Sequence, residues 1–67
     1  MPYEYKTDIA QKYFPDVDEQ SAMRLLNREI HGTRGLLEAL NASGYNARAH
    51  RLTPRQVEIL YRYLGEP

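Results

Sequence analysis

At 67 residues, with no cysteine and nine basic side chains against nine acidic ones, the sequence describes one small domain without a disulfide framework. The zero net charge excludes a strongly basic nucleic-acid binder, and no apolar run approaches the ~20 residues of a membrane span. The start Met1-Pro2-Tyr3-Glu4-Tyr5 lacks the basic and apolar regions of a signal peptide, so the expectation is a soluble, cytoplasmic protein.

Domains of this size bury only about 60% of the surface their unfolded chains expose, and many add disulfides, a metal or a partner subunit. The first route is closed here, which makes self-association an expectation to weigh. Charge is also spread unevenly. Residues 1–32 carry four basic against six acidic side chains, and residues 33–67 carry five against three. No repeat, low-complexity tract or linker interrupts the chain, so residues 1–67 read as a single domain.

In chain order, Tyr3-Glu4-Tyr5 alternates as an edge strand does. The first helix is predicted from a Thr7 cap through Ile9, Ala10, Tyr13 and Phe14 to a break at Pro15. Asp18 is a good cap for the second helix, with Val17 and Ala22 placed as a hydrophobic staple and Glu19 favourable to the helix dipole. Ala22, Leu25, Leu26 and Ile30 form its apolar face, and Gly32 ends it. A short third helix is predicted from a Thr33 cap, with Leu36, Leu37 and Leu40 buried and Gly44 as the stop. The stretch from Tyr45 to Leu52 is a polar connector with a weak alternation of its own. It could pair with residues 3–5 as a two-stranded ribbon, although such pairs are marginal unless they pack on something.

The last helix is the most clearly signalled. Thr53-Pro54-Arg55-Gln56 supplies a cap hydroxyl, a proline at the first helical position and a glutamine three residues after the cap, the pattern of a capping box. Leu52 and Val57 can close over it. Val57, Leu60, Tyr61 and Leu64 then make one buried stripe, with Gly65 and Pro67 ending the helix. The expected fold is therefore all-α: a compact orthogonal bundle of four short helices, helix-turn-helix-like in its first half, with a minor two-stranded ribbon as an addition. The expected core is Ile9, Tyr13, Phe14, Ala22, Leu25, Leu26, Ile30, Leu37, Leu40, Val57, Leu60, Tyr61 and Leu64.

Nothing in the sequence assembles catalysis. Ser21 and Ser43 fall at a helix start and a helix end, where serine bonds to backbone. Gly32-Thr33-Arg34-Gly35 lacks the spacing and the lysine of a phosphate loop. His31 and His50 stand alone, with no Cys and no His-x-x-x-His pair to complete a zinc site, and His31 suits the negative end of a helix. No enzyme activity, cofactor, metal or small-molecule substrate is expected.

The first two helices suggest a helix-turn-helix, joined by Phe14-Pro15-Asp16-Val17 rather than by a tight glycine turn. The polar face of the second reads Gln20, Arg24, Asn27, Arg28 and His31. In a DNA complex Gln20, Arg24 and Asn27 would face bases, and Arg28, Arg48 and Arg51 would meet phosphates. Against this, any amphipathic surface helix needs a polar face, and Asp18 and Glu19 at its amino end repel phosphate. No acid occurs between Glu38 and Glu58, so the connector holding Arg48, His50 and Arg51 is a local positive patch, or simply a solvated loop. The alternative function is a protein-interaction or self-association module using Ile59 and Tyr63, an extra i, i+4 pair on the last helix in a chain with six tyrosines. The plainer explanation of that pair is a last helix wrapped on two sides.

Tyr13-Phe14-Pro15, Ala22, Leu26, Gly44-Tyr45, Leu52-Thr53-Pro54-x-Gln56-Val57 and the ending Leu64-Gly65-Glu66-Pro67 together resemble a family of short bacterial proteins, domain of unknown function 4248. The resemblance runs from about Ile9 onward and implies a compact, complete cytoplasmic domain; it brings no activity, ligand or catalytic residue. Where the family pattern often has an aromatic before the isoleucine late in the second helix, this chain has Glu29.

Overall fold

A computed structural model describes residues 3–67; Met1 and Pro2, where the reading for a signal peptide began, lie outside the described residues. The order of elements is β1 (Glu4–Tyr5), α1 (Lys6–Tyr13), α2 (Glu19–Gly32), α3 (Leu36–Ala42), β2 (Arg51–Leu52) and α4 (Pro54–Leu64). The two strands pair antiparallel, with Glu4 opposite Leu52 and Tyr5 opposite Arg51. α1 packs on α2, and α3 packs on both α2 and α4. The ribbon persists because Leu52 is fully buried and anchors it to the core.

The ribbon also explains why α1 starts two residues earlier than expected. Thr7 is not its cap: α1 begins at Lys6, with Tyr5 as N-cap and no side-chain bond to the helix start. The Lys6 amide donates to the His50 carbonyl at 2.8 Å, so one of the unpaired amides of the helix start is satisfied from across the ribbon. At the other end the Phe14 amide closes on Ala10, and Pro15 stops the helix. Gln11 donates through Nε2 to the carbonyls of Phe14 (3.2 Å) and Val17 (2.9 Å), which fixes the turn into α2.

α2 takes the expected cap, the Asp18 carboxylate accepting from the Ser21 amide at 3.1 Å, whereas Val17, expected to staple onto Ala22, is exposed. Its buried line is Ala22, Leu26 and Ile30. Met23 packs beside that line, whereas Leu25 is only half-buried and lies outside the core cluster. Leu25 and Met23 flank the line on opposite sides of the helix, and α2 turns the Met23 and Asn27 side inward.

Thr33 closes α2 rather than opening α3. Its amide donates to the Glu29 carbonyl, and the cap position of α3 falls to Gly35 at φ +82°. That left-handed turn shifts α3 so that Leu36 and Leu40 are fully buried and Leu37 is half-buried. A Cβ at Gly35 would meet the Tyr63 ring at 3.5 Å, so Tyr63 lies across this turn. The end of α3 is a Schellman motif. The Gly44 amide bonds the Asn41 carbonyl and the Tyr45 amide bonds that of Leu40, with Gly44 at φ +85°.

The capping box of α4 is present in both directions: the Gln56 amide donates to Thr53 Oγ1 at 3.2 Å, and the Thr53 amide donates to Gln56 Oε1 at 3.0 Å. Leu52 and Val57 are both buried beside it. α4 is flanked by α3 and by β2, which takes Ile59 into the core at 8% exposure alongside Leu60. Ala10, Leu36, Leu52 and Ile59 thus join the core that the sequence pattern predicts. Tyr13, Phe14, Leu37, Tyr61 and Leu64 pack on it as partly buried residues. Tyr13 meets Tyr61 edge to face at 6.3 Å and donates its hydroxyl to the Gly65 carbonyl, tying the end of α1 to the end of α4.

Candidate nucleic-acid interface

The least expected side chain in the core is Lys6. It is fully buried, and Nζ donates to Asn27 Oδ1 at 2.7 Å and to the Tyr45 hydroxyl oxygen at 2.6 Å, with the Ala47 carbonyl at 3.5 Å. The same nitrogen lies 5.1 Å from the Tyr45 ring centroid. With the hydroxyl oxygen so near, the ammonium sits at the oxygen end of the ring, and hydrogen bonding outweighs any contact with its π face. Among the described residues no carboxylate lies within ion-pair distance of Lys6. Three neutral acceptors therefore take its three protons, and burial lowers its pKa below the usual lysine value.

These bonds join α1, the middle of α2 and the loop that follows α3. Residues 46–49 of that loop are themselves ordered by a turn, with the Arg48 amide donating to Asn46 Oδ1 at 2.9 Å and the Ala49 amide to the Asn46 carbonyl. Arg48 follows the Ala47 anchor directly. Arg24 and Arg28 lie three residues before and one residue after the Asn27 anchor on α2. The bracket thus brings an arginine pair on α2 and an arginine pair on the loop and β2 to adjoining elements.

The basic side chains divide accordingly. Lys12 is paired with Glu4 at 3.5 Å, and Arg55 and Arg62 share Glu58 at 3.6 Å each. Arg24, Arg28, Arg34, Arg48 and Arg51 are exposed and have no carboxylate within ion-pair distance among the described residues. The ion pairs thus sit on α4 and the end of α1, while the unpaired arginines lie on α2, the turn after it, the loop and β2, with Asp16, Asp18, Glu19 and Glu29 also exposed on or beside α2.

Of the residues the sequence placed at bases, Gln20 and Arg24 are exposed, while Asn27 is half-buried with its carboxamide oxygen turned to Lys6. Arg28, Arg48 and Arg51, placed at phosphates, are all exposed. Of the alternative interface pair, Ile59 belongs to the core, whereas Tyr63 is 42% exposed. Lys6 and Tyr45 escaped the sequence reading, yet a signal existed. Lys6, Ile9, Ala10 and Tyr13 follow i, i+3, i+4, i+7, which puts a lysine on the apolar stripe of α1.

A shallow groove of about 740 Å³ runs along α4, with Pro54, Val57 and Tyr61 among its lining residues and Glu4, Glu58 and Glu66 contributing carboxylates. Among the described residues no three His, Cys, Asp or Glu side chains gather in a way that could hold a metal ion. No helix among them is long and apolar enough to cross a membrane. Comparison with curated proteins and with solved structures gives no match. The family described as domain of unknown function (DUF4248) matches residues 2–67, essentially the entire chain. The chain belongs to that family, as the motifs around Pro15, Gly44 and the α4 capping box suggested.

Proposed function

We propose that the chain is a non-enzymatic nucleic-acid-binding module that sets α2 and residues 46–51 against duplex DNA. The observation that supports this most is the Lys6 bracket, which ties α2, carrying Arg24 and Arg28, to the loop that carries Arg48 and leads to Arg51; among the described residues none of the four has a carboxylate at ion-pair distance, whereas Lys12, Arg55 and Arg62 each do. Gln20 and Arg24 reach base edges; Arg28, Arg48 and Arg51 neutralise phosphates. Asn27 serves the bracket instead of the groove.

Three phosphate contacts give a slope of about −2.7 in log affinity against log salt, so raising salt from about 50 to 200 mM weakens binding about 40-fold. Arg48→Ala lowers the slope by about 1, and Arg24→Ala weakens binding without changing the fold. Fluorescence anisotropy with a labelled duplex reads all three. Absence of binding at low ionic strength, where phosphate attraction is greatest, overturns the proposal. The protein-interaction reading is the weaker one: with Ile59 in the core it rests on Tyr63, which already covers the Gly35 turn.

A further inference from the structure

The ribbon register puts Tyr5 directly opposite Arg51, so both side chains project from the same face. Both are exposed, Tyr5 at 56%. Tyr3, 59% exposed, immediately precedes β1 and stands two residues from Tyr5, the spacing that shares a face in extended chain, about 7 Å along it. The opposite face carries Leu52, which is fully buried, and Glu4, whose carboxylate pairs with Lys12. The solvent face thus presents two tyrosine rings and an arginine without an acidic partner, beside the turn that carries Arg48.

We propose that this face is a stacking platform for unpaired bases of a single-stranded nucleic acid, with Tyr3 and Tyr5 holding bases and Arg51 and Arg48 holding the flanking phosphates. Large aromatic surface left in water next to uncompensated cations suits a ligand that is flat and apolar in one part and anionic in the next. Nucleotides meet that description whatever their sequence. A peptide would need carboxylates to satisfy the arginines and would gain nothing from ring spacing. The inference goes beyond duplex binding: it depends on Tyr3 and Tyr5, which the duplex reading does not use, and shares with it only Arg48 and Arg51.

The test is anisotropy with labelled oligothymidylate and oligouridylate of about twelve nucleotides, alongside the duplex, at low salt. The wild type binds at least one of the single strands, and preference between them assigns the ligand to DNA or RNA. Tyr5→Ala weakens single-strand binding about tenfold, Tyr5→Phe retains it because the ring does the stacking, and neither changes duplex affinity. Tyr3→Ala, which lies outside the paired strand, gives the same loss should Tyr5→Ala unfold the ribbon. Single-strand binding that survives Tyr3→Ala and Tyr5→Ala together, or a wild type that binds neither oligonucleotide, overturns the proposal. Loss of duplex binding alone overturns the duplex reading and leaves this one standing.

Discussion

Lys6→Ala is expected to lower stability by about 3–5 kcal/mol, read as a shift in the urea unfolding midpoint followed by circular dichroism. Two costs combine. The substitution opens a cavity where the lysine stem packs, and it strips a donor from Asn27 Oδ1 and from the Tyr45 hydroxyl, both on half-buried residues. A domain of this length has a total stability of about 3–10 kcal/mol, so the loss takes much of it. Lys6→Met should be far milder, within about 1–2 kcal/mol of the wild type. It keeps the stem and removes the cost of burying a charge, at the expense of the same hydrogen bonds. A Lys6→Ala variant within about 0.5 kcal/mol of the wild type would show that the bracket contributes nothing to the fold.

Alkaline solution should produce a stability profile that rises and then falls. Burial lowers the Lys6 pKa in the folded chain, so below 10.5 there is an interval in which the folded lysine has lost its proton and the unfolded one keeps it. The unfolded chain then binds more protons, and stability climbs with pH. Tyr13 acts in the opposite sense. Burial first, then the neighbouring Tyr61 and Glu66, push its pKa up from 10 to about 12. Between those values the unfolded tyrosine is ionised and the folded one is not, so stability falls as pH rises. Burial raises the Tyr45 pKa as well and adds to the decline. A two-unit displacement corresponds to about 2.7 kcal/mol, which solvent access to the half-buried Tyr13 ring reduces to about 1–2 kcal/mol. Urea midpoints between pH 8 and 12 should lose the rising limb in Lys6→Met and much of the falling limb in Tyr13→Phe. A flat profile in the wild type would contradict both assignments.

The parts of the fold legible in the sequence are those determined within a few residues. The α4 capping box and the Asp18 cap need only neighbours three positions away, and both occur as the sequence indicates. Two of the three failures share one cause, a partner distant in sequence. Thr7 falls inside α1 because the helix starts at Lys6, whose amide is held by the His50 carbonyl across the ribbon. Thr33 ends α2, and the left-handed Gly35 two residues later takes the cap position of α3, with Leu36 rather than Leu37 in the core. Ile59 left the candidate interface because α3 and β2 enclose α4.

The candidate site was legible as a list of residues but not as an arrangement. Exposed Gln20, Arg24, Arg28, Arg48 and Arg51 follow from helical periodicity and from the acid-free stretch before Glu58. That the loop is fastened to the middle of α2 does not, because it depends on a lysine that the usual expectation places in water. Asn27 shows the consequence: its type suits an adenine edge, and its position gives it to Lys6 instead.

The most direct test is a titration of the ¹⁵N-labelled protein with duplex DNA at low salt, followed by amide chemical shifts. The unpaired arginines of α2, the loop and β2 should concentrate the perturbations at residues 20–28 and 46–51 and spare the α4 groove around Val57 and Tyr61. Shifts centred on that groove, or none at all, would contradict the account.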